Sequence, residues 1–154
     1  MENPKIEIYI EKIDHGPSRH GGRAMHLLKT VLDDGTEYTK HGSTGYWDEK
    51  ENALALRALI DALGRIRKPS VITIRTKCAL IRSAIENEWL DEWQRNGWKN
   101  AKGKRIRHAE LWEQVWENTQ KHLVFVELGE HAWSSWMQTT MRQKQGNTKG
   151  ENDV

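Results

Sequence analysis

Cysteine is nearly absent from this sequence, since Cys78 is the single one among 154 residues. One cysteine excludes an intramolecular disulfide and a zinc site built from several thiolates, and chains without disulfides are usual in reducing compartments, so we expect a cytoplasmic protein. Long apolar runs are missing as well. The amino terminus, MENPKIEIYIEKID, interleaves charged and apolar residues, and no stretch approaches the roughly 20 apolar residues that span a bilayer. We therefore expect neither secretion nor contact with a membrane.

The chain also lacks a surplus of charge of one sign. Lys and Arg number 24 against 22 Asp and Glu, which gives a formal net charge of +2. Attraction for a polyanion must therefore come from local clustering of cations rather than from total charge.

The length fits one domain with one core. We expect a monomeric domain over residues 1–142, and a disordered polar tail over 143–154 because no apolar residue occurs there before Val154.

Cations do cluster in one segment, EWLDEWQRNGWKNAKGKRIRHAELW, which runs over residues 88–112. Trp89 and Trp93 are four residues apart and share one helix face, and the Asn96-Gly97 step then ends that helix. A basic excursion with aromatic residues at its base is typical of a contact that follows a nucleic-acid backbone. A solvated charged loop beside core tryptophans is the alternative. The candidate contact residues are Arg95, Trp98, Lys99, Lys102, Lys104, Arg105 and Arg107.

In the rest of the chain, the spacing of apolar residues predicts which segments form strands and which form helices. Apolar residues alternate over 5–13, and two further extended stretches flank Asp34-Gly35, so three antiparallel strands are expected. A helix is predicted over 48–67, ended by Lys68-Pro69, and a buried parallel strand over 70–75. Two helices are predicted from 79 onward through the tryptophan segment. A third helix over 109–116, a strand over 123–128 and a final helix over 132–142 follow.

Several of these strings resemble the type I ribonuclease H family. ENALALRALIDAL is similar to the long first helix of that family, ITIRTKCALIRSAI to its fourth strand and second helix, and WLDEWQRNGWKNAKGKRIRHAELW to its tryptophan-rich basic protrusion. VELGEHA resembles the end of the fifth strand and the histidine loop. The resemblance implies a mixed α/β fold with a five-stranded sheet, three antiparallel strands plus parallel strands, flanked by helices. It also implies a protrusion that holds an RNA/DNA hybrid.

The same resemblance implies a cluster of carboxylates, usually four, that holds two divalent metals at a phosphate. Glu11 matches the first ligand position and keeps a carboxylate. Ala55 and Lys77 match the second and third positions, which are therefore lost, and the fourth falls near Met141. The Lys77 ammonium can fill the space of a metal and pair with Glu11 or with a substrate phosphate. We therefore expect no resident metal and no other cofactor.

An active enzyme would need other acids to converge near Glu11, with Mg²⁺ or Mn²⁺ as its cofactor. Glu51 is the best substitute, and His131 matches the histidine of the family's catalytic loop. Glu127 and Glu130 are weaker substitutes, and all three acids are otherwise interpreted as solvated carboxylates. Asn52 matches an asparagine that in the family reads the minor groove of the hybrid. Its alternative role is that of a polar residue at a helix end.

Three hypotheses follow from the sequence. The first is a ribonuclease H-like protein that has lost catalysis and binds an RNA/DNA hybrid or double-stranded RNA. The second is a metal-dependent hybrid ribonuclease with a rearranged acidic site around Glu11. The third is a protein-interaction module that kept only the fold, for which the sequence indicates no particular protein partner.

Overall fold

The structure, a computed structural model, describes residues 3–14, 21–42, 45–49 and 52–152. Strands and helices follow one another as the sequence predicted, with one short strand added. They are β1 (Lys5–Asp14), β2 (Gly22–Val31), β3 (Glu37–His41), β4 (Gly45–Trp47), α1 (Asn52–Leu63), β5 (Val71–Thr76), α2 (Ala79–Glu86), α3 (Trp89–Arg95), α4 (Ala109–Thr119), β6 (Leu123–Leu128) and α5 (Ser134–Asn152).

One mixed sheet contains all of these strands. Its main path is β3-β2-β1-β5-β6, and β4 pairs with β2 beside β3. Strand β1 is antiparallel to β2 and parallel to β5, which is itself parallel to β6. The mixed five-stranded sheet expected from the sequence is confirmed, and β4 was missed because three residues are too few for a readable period.

The hairpin predicted at Asp34-Gly35 connects β2 and β3. The Asp34 side chain accepts a hydrogen bond from the backbone N–H of Thr36 over 2.9 Å. Gly35 has a φ of +87°, a conformation that glycine adopts without the steric cost of a Cβ atom. This turn fixes the register between the two strands.

The sheet is covered on both faces by apolar packing. On one face, Ile8 and Ile10 of β1 and Ile74 of β5 pack with α1, α2 and α4 in the main core. On the other face, a smaller cluster joins sheet and α5 through Tyr9, Met25, Leu27, Met137 and Met141. Burial of each large apolar side chain stabilises the fold by about 1.5–3 kcal/mol. Helices on both faces therefore hold the ends of β1 and β5 in place.

Two helix boundaries differ from the predictions. Helix α1 (Asn52–Leu63) ends before the predicted residue 67, because Gly64 follows and glycine favours helix ends. Asp48 and Glu49 lie outside the helix, and residues 50–51 are not among those described. Helix α5 runs over Ser134–Asn152, whereas the last helix was predicted over 132–142. Residues 143–152 contain no proline and several good helix formers, so the backbone can continue the helix. The predicted disorder of 143–154 stays a prediction.

Helix α3 is set off from α2 by Glu88, which has a φ of +58° and lies in the left-handed region. The break turns the tryptophan-bearing helix toward α4. Among the described residues, no helix is both long and apolar enough to cross a bilayer.

Candidate functional site

Glu11 and Lys77 meet where two parallel strands end. Glu11 lies near the carboxyl end of β1, and Lys77 directly follows β5. Because carboxyl ends of neighbouring parallel strands lie at the same sheet edge, both side chains reach one place. The Nζ atom of Lys77 lies 3.0 Å from Oε1 of Glu11. The predicted pairing of this lysine with Glu11 is confirmed.

Helix α5 and the loop before it supply the other partners of Glu11. Gln138 donates from Nε2 to Oε1 over 2.8 Å, and Ser134 donates from Oγ to Oε2 over 2.9 Å. His131 Nε2 lies 3.0 Å from Oε2. An ionised carboxylate has about four acceptor positions, and four protein donors fill them here. The Glu11 side chain is only 1% exposed.

The hydrogen bonds of His131 fix its orientation. Its Nε2 atom faces two acceptors, Oε2 of Glu11 and the carbonyl oxygen of Ile10 at 3.3 Å. The backbone N–H of Trp133 donates to Nδ1 over 3.2 Å. This pattern assigns the proton to Nε2 and the lone pair to Nδ1. Because the side chain is 2% exposed, His131 serves as a buried partner of Glu11 in this arrangement.

The environment of Glu11 favours its charged form. Burial alone raises the pKa of this carboxyl, because a low-dielectric environment penalises charge. The hydrogen bonds from His131, Gln138, Lys77 and Ser134 outweigh burial and lower the pKa to about 2. Glu11 therefore stays ionised at neutral pH, and the Lys77 ammonium provides its counter-charge.

A cleft of about 430 Å³ opens beside this pair. Ala55 of α1 forms part of its wall, and its methyl group cannot ligate a metal. Asn52 also lines the cleft, where its Oδ1 atom accepts a hydrogen bond from the Cys78 thiol at 3.2 Å. Within the part of the chain that the structure describes, the lining residues are Ile10, Glu11, Lys12, Asn52, Ala55, Thr76, Lys77, Cys78, Ala79 and Gln138.

The acids proposed as substitutes do not converge on Glu11 among the described residues. Glu127 pairs with Arg75 instead. Glu130 is 84% exposed and lies 3.8 Å from Lys77 Nζ, outside the cleft lining. Glu51 lies outside the described residues, so the structure does not place it. Within 3–14, 21–42, 45–49 and 52–152, no group of three or more His, Cys, Asp or Glu side chains is arranged to hold a metal ion.

These observations decide whether the donor set fits the two metals that the resemblance implies. The carboxylate of Glu11 has its acceptor positions filled, Ala55 offers no oxygen, and Lys77 brings a positive charge to the same point. Divalent cations with oxygen ligands need several carboxylates or carbonyls at one place. The described side chains therefore do not fit a two-metal centre.

The fourth ligand position expected near Met141 needs correction. Met141 is fully buried in the cluster between α5 and the sheet, and Gln138 is the α5 residue that contacts Glu11. Sequence reasoning missed both Ser134 and Gln138. A signal was available, because Met137 and Met141 mark the sheet-facing side of the helix and Ser134 and Gln138 run alongside at the same four-residue spacing.

The basic segment between α3 and α4 forms a small hairpin. Lys99 and Arg105 make an antiparallel β-bridge, and the N–H of Ile106 donates to the carbonyl of Trp98 over 2.9 Å. Asn100 caps the turn, because its Oδ1 atom accepts from the backbone N–H groups of Lys102 and Lys104 at 2.9 and 3.0 Å. The turn is thus held by backbone and amide contacts, and its charged side chains are left to the surface.

All six cations proposed as contacts are exposed. Arg105 also pairs with Glu110 at 3.3 Å, and both side chains of that pair are more than half exposed. Such surface pairs contribute little to stability and exchange readily. The six residues are Arg95, Lys99, Lys102, Lys104, Arg105 and Arg107.

The tryptophans form the base of this hairpin. Trp93 lies between Trp89 and Trp112, with ring centroids 5.9 and 5.5 Å apart, which confirms the prediction that these three rings pack. Trp98 is 7% exposed, and its ring lies 6.5 Å from that of Trp116. This burial indicates that the Trp98 ring packs against the core, and its contact with nucleic acid stays a prediction.

Comparisons with known proteins agree with this fold. Residues 16–129 match the family model described as RNase H. A protein named Ribonuclease H from Clostridium botulinum is 32% identical over 97 residues, which cover 62% of this chain and 65% of that protein. The chain thus spans slightly under two thirds of that relative. A protein named Ribonuclease HI from Haemophilus influenzae is 31% identical over 123 residues, 78% of this chain and 73% of the relative.

Two solved structures share the fold at lower identity. LC9-RNase H1, described as a type 1 RNase H with the type 2 active-site motif, superposes with a TM-score of 0.70 at 20% identity, over 96% of this chain and 74% of the other. The foamy viral protease-reverse transcriptase in complex with an RNA/DNA hybrid has a TM-score of 0.56 at 17% identity, over 96% of this chain and 19% of the other. The family match over most of the chain and the shared sheet topology lead to one conclusion: this chain is a member of the RNase H family.

Proposed function

We propose that this RNase H family member binds double-stranded nucleic acid, an RNA/DNA hybrid or duplex RNA, without cutting it. The observation that carries the proposal is the saturation of Glu11, whose two carboxylate oxygens accept from Lys77, Gln138, His131 and Ser134. Metal-assisted hydrolysis of a phosphodiester needs free carboxylate oxygens to hold the ions. Here those oxygens hold side chains of the protein.

Binding is supported by the hairpin over residues 98–106 and the cations around it. Exposed Lys and Arg side chains on a turn held by Asn100 can meet successive phosphates without rearranging the core. Phosphate contacts position a protein on a duplex and carry no base information, so the expected binding is not sequence-specific. Asn52, half-buried at the cleft, stays in the proposal as a groove contact. We propose a monomer that acts in the cytoplasm, as the single cysteine suggests.

The enzyme alternative is favoured by the names of the relatives, which are ribonucleases. It requires Glu51, which lies outside the described residues, to act beside Glu11, and it requires His131 to leave its buried hydrogen bonds. The Glu11–Lys77 pair would also have to open to a magnesium or manganese ion. The repulsion between Lys77 and such an ion opposes this, because the two charges have the same sign.

One assay separates the three hypotheses. Purified protein is mixed with labelled RNA/DNA hybrid, duplex RNA or duplex DNA, in magnesium, manganese or chelator, and both binding and cleavage are followed. We expect binding of hybrid or duplex RNA that chelator leaves unchanged, with intact strands. Metal-dependent cleavage that is abolished by Glu11→Gln would establish the enzyme instead. If the protein neither binds nor cleaves any duplex at low salt, the protein-interaction hypothesis is the one that remains.

A further inference from the structure

The Lys77 ammonium is held in place yet remains accessible. A lysine ammonium has three N–H donors, and one of them is directed to Oε1 of Glu11 at 3.0 Å. Glu130 is 3.8 Å away, which is too long for a hydrogen bond. The Lys77 side chain is 44% exposed. Among the described residues, no other hydrogen bond engages this ammonium, so donors of a cation that is fixed by a buried carboxylate are left for a ligand.

The charges around the cleft favour an anion. Among the described lining residues, Lys12 and Lys77 carry positive charge, and the single carboxylate, Glu11, is already paired with Lys77. Ala79, the first residue of α2, also lines the cleft, and the partial positive charge of a helix start adds to the same potential. The cleft volume of about 430 Å³ lies within the range of roughly 300–1,000 Å³ that ligand sites occupy.

We infer that this cleft binds one backbone phosphate of the duplex directly, through the Lys77 ammonium, with Lys12 beside it and no metal ion between protein and phosphate. The inference rests on the proposed duplex binding and adds a second contact to the hairpin. Lysine suits this role because its ammonium is a compact point charge that donates to any phosphate oxygen. Gln138 does not contribute, since its Nε2 atom already donates to Glu11 and to the Lys12 carbonyl.

Glu130 acts as a competitor in this arrangement. Its exposed carboxylate is near enough to attract Lys77 but makes no hydrogen bond with it. A phosphate entering the cleft displaces this weak attraction, which costs little because surface ion pairs are worth roughly 0–1 kcal/mol. Removing the Glu130 charge should therefore strengthen binding by a few fold.

The test measures hybrid affinity against salt concentration in chelator. Lys77→Gln should weaken binding about tenfold and flatten the plot of log affinity against log salt by about 0.9, the value for one phosphate contact on B-form DNA. Lys77→Arg should keep both values, because it keeps the charge. Lys68→Gln, at an exposed lysine outside the cleft, is the matched control and should change neither. Glu130→Gln should raise affinity.

If the Lys77→Gln variant does not fold, its affinity and salt slope cannot be compared with those of the wild type. Two further measurements therefore test the same contact. The double variant Glu11→Gln with Lys77→Gln removes both charges of the pair and should also flatten the salt slope by about one unit. In the wild type, the ¹⁵Nζ resonance of Lys77 should shift when hybrid is added in chelator. A resonance that stays in place, or an unchanged slope in the variants while the wild type binds, overturns the cleft contact and leaves duplex binding intact. A wild type that binds no duplex at low salt overturns both.

Discussion

Gln138 donates from Nε2 to Oε1 of Glu11 over 2.8 Å, and the same nitrogen lies 3.1 Å from the carbonyl oxygen of Lys12. One amide group thereby fastens α5 to both the side chain and the backbone of β1. The buried charge and the helix that covers it depend on each other, since Ser134, one turn earlier, reaches the other carboxylate oxygen.

The first prediction concerns metal. Because the acceptor positions of Glu11 are filled and Ala55 offers no ligand, we expect no stoichiometric binding of magnesium at millimolar concentrations. Isothermal titration calorimetry is the measurement, with Glu11→Gln as the control. Binding of one or two ions per chain that this variant abolishes would contradict the prediction.

The second prediction is that a metal site can be rebuilt. Ala55→Glu with Lys77→Asp returns two carboxylates to the cleft, and adding Gln138→Asp places a third where α5 meets Glu11. We expect manganese-dependent cleavage of a labelled hybrid, low in the double variant and higher in the triple variant, because small errors in ligand placement cost orders of magnitude in rate. Adding Glu11→Gln should abolish it. A folded triple variant without activity would show that these positions do not form the site.

The third prediction concerns acid stability. The pKa of Glu11 is lowered from 4.5 to about 2 in the folded protein, so this group stabilises the fold above pH 4.5 and the contribution is lost as pH falls toward 2. The shift corresponds to about 3 kcal/mol at neutral pH, of which about 2 kcal/mol is lost by pH 3. Urea unfolding at pH 6 and pH 3 measures the loss. Glu11→Gln should show a smaller difference between the two pH values, and an equal difference would assign the effect to other acids.

The fourth prediction tests the hairpin. Replacing Lys102, Lys104 and Arg105 with alanine should weaken binding of every duplex sequence alike and flatten the salt slope by about 0.9 for each phosphate that the hairpin no longer binds. Folding should be spared because all three side chains are exposed. A matched variant removes three exposed lysines elsewhere, Lys5, Lys40 and Lys121. If both triple variants bind equally, net charge rather than the hairpin sets the affinity.

The fifth prediction separates packing from contact at Trp98. Its ring is buried against Trp116, so Trp98→Ala should lower the unfolding free energy by about 3–5 kcal/mol, as for other buried aromatic residues. Trp98→Phe should lose less stability and bind hybrid like the wild type. Thermal unfolding and hybrid titration are the two measurements. If Trp98→Ala is as stable as the wild type but binds hybrid more weakly, Trp98 contacts the nucleic acid.

Strand periods and family strings predicted the sheet well, and the reason is visible in β1. Ile8 and Ile10 alternate with Tyr9 and Glu11, and the two sets do face opposite sides of the sheet. The alternation of residues along a strand predicts which face of the sheet each side chain lies on, but it does not predict which helix or loop covers that face. Glu11 was therefore placed correctly, while the donors that surround it were not all found.

The partners from α5 escaped prediction because they depend on packing across a long separation. Ser134 and Gln138 are more than 120 residues from Glu11, and neither type of side chain marks a site by itself. The burial of Trp98 was missed for a related reason. Trp98 has a φ of +63°, an unusual backbone conformation for a large residue, and the sequence carried no sign that the chain would turn this ring inward.

The Glu11–Lys77 pair also limits how this sequence can evolve. Replacing Lys77 alone leaves a buried carboxylate without its counter-charge, and replacing Glu11 alone leaves a cation beside three polar groups arranged for an anion. Breaking a fully buried pair at one end typically costs about 3–5 kcal/mol, and the cost here is smaller because the Lys77 side chain is 44% exposed. Reversion toward a metal-binding centre must then cross a less stable intermediate unless both positions change together.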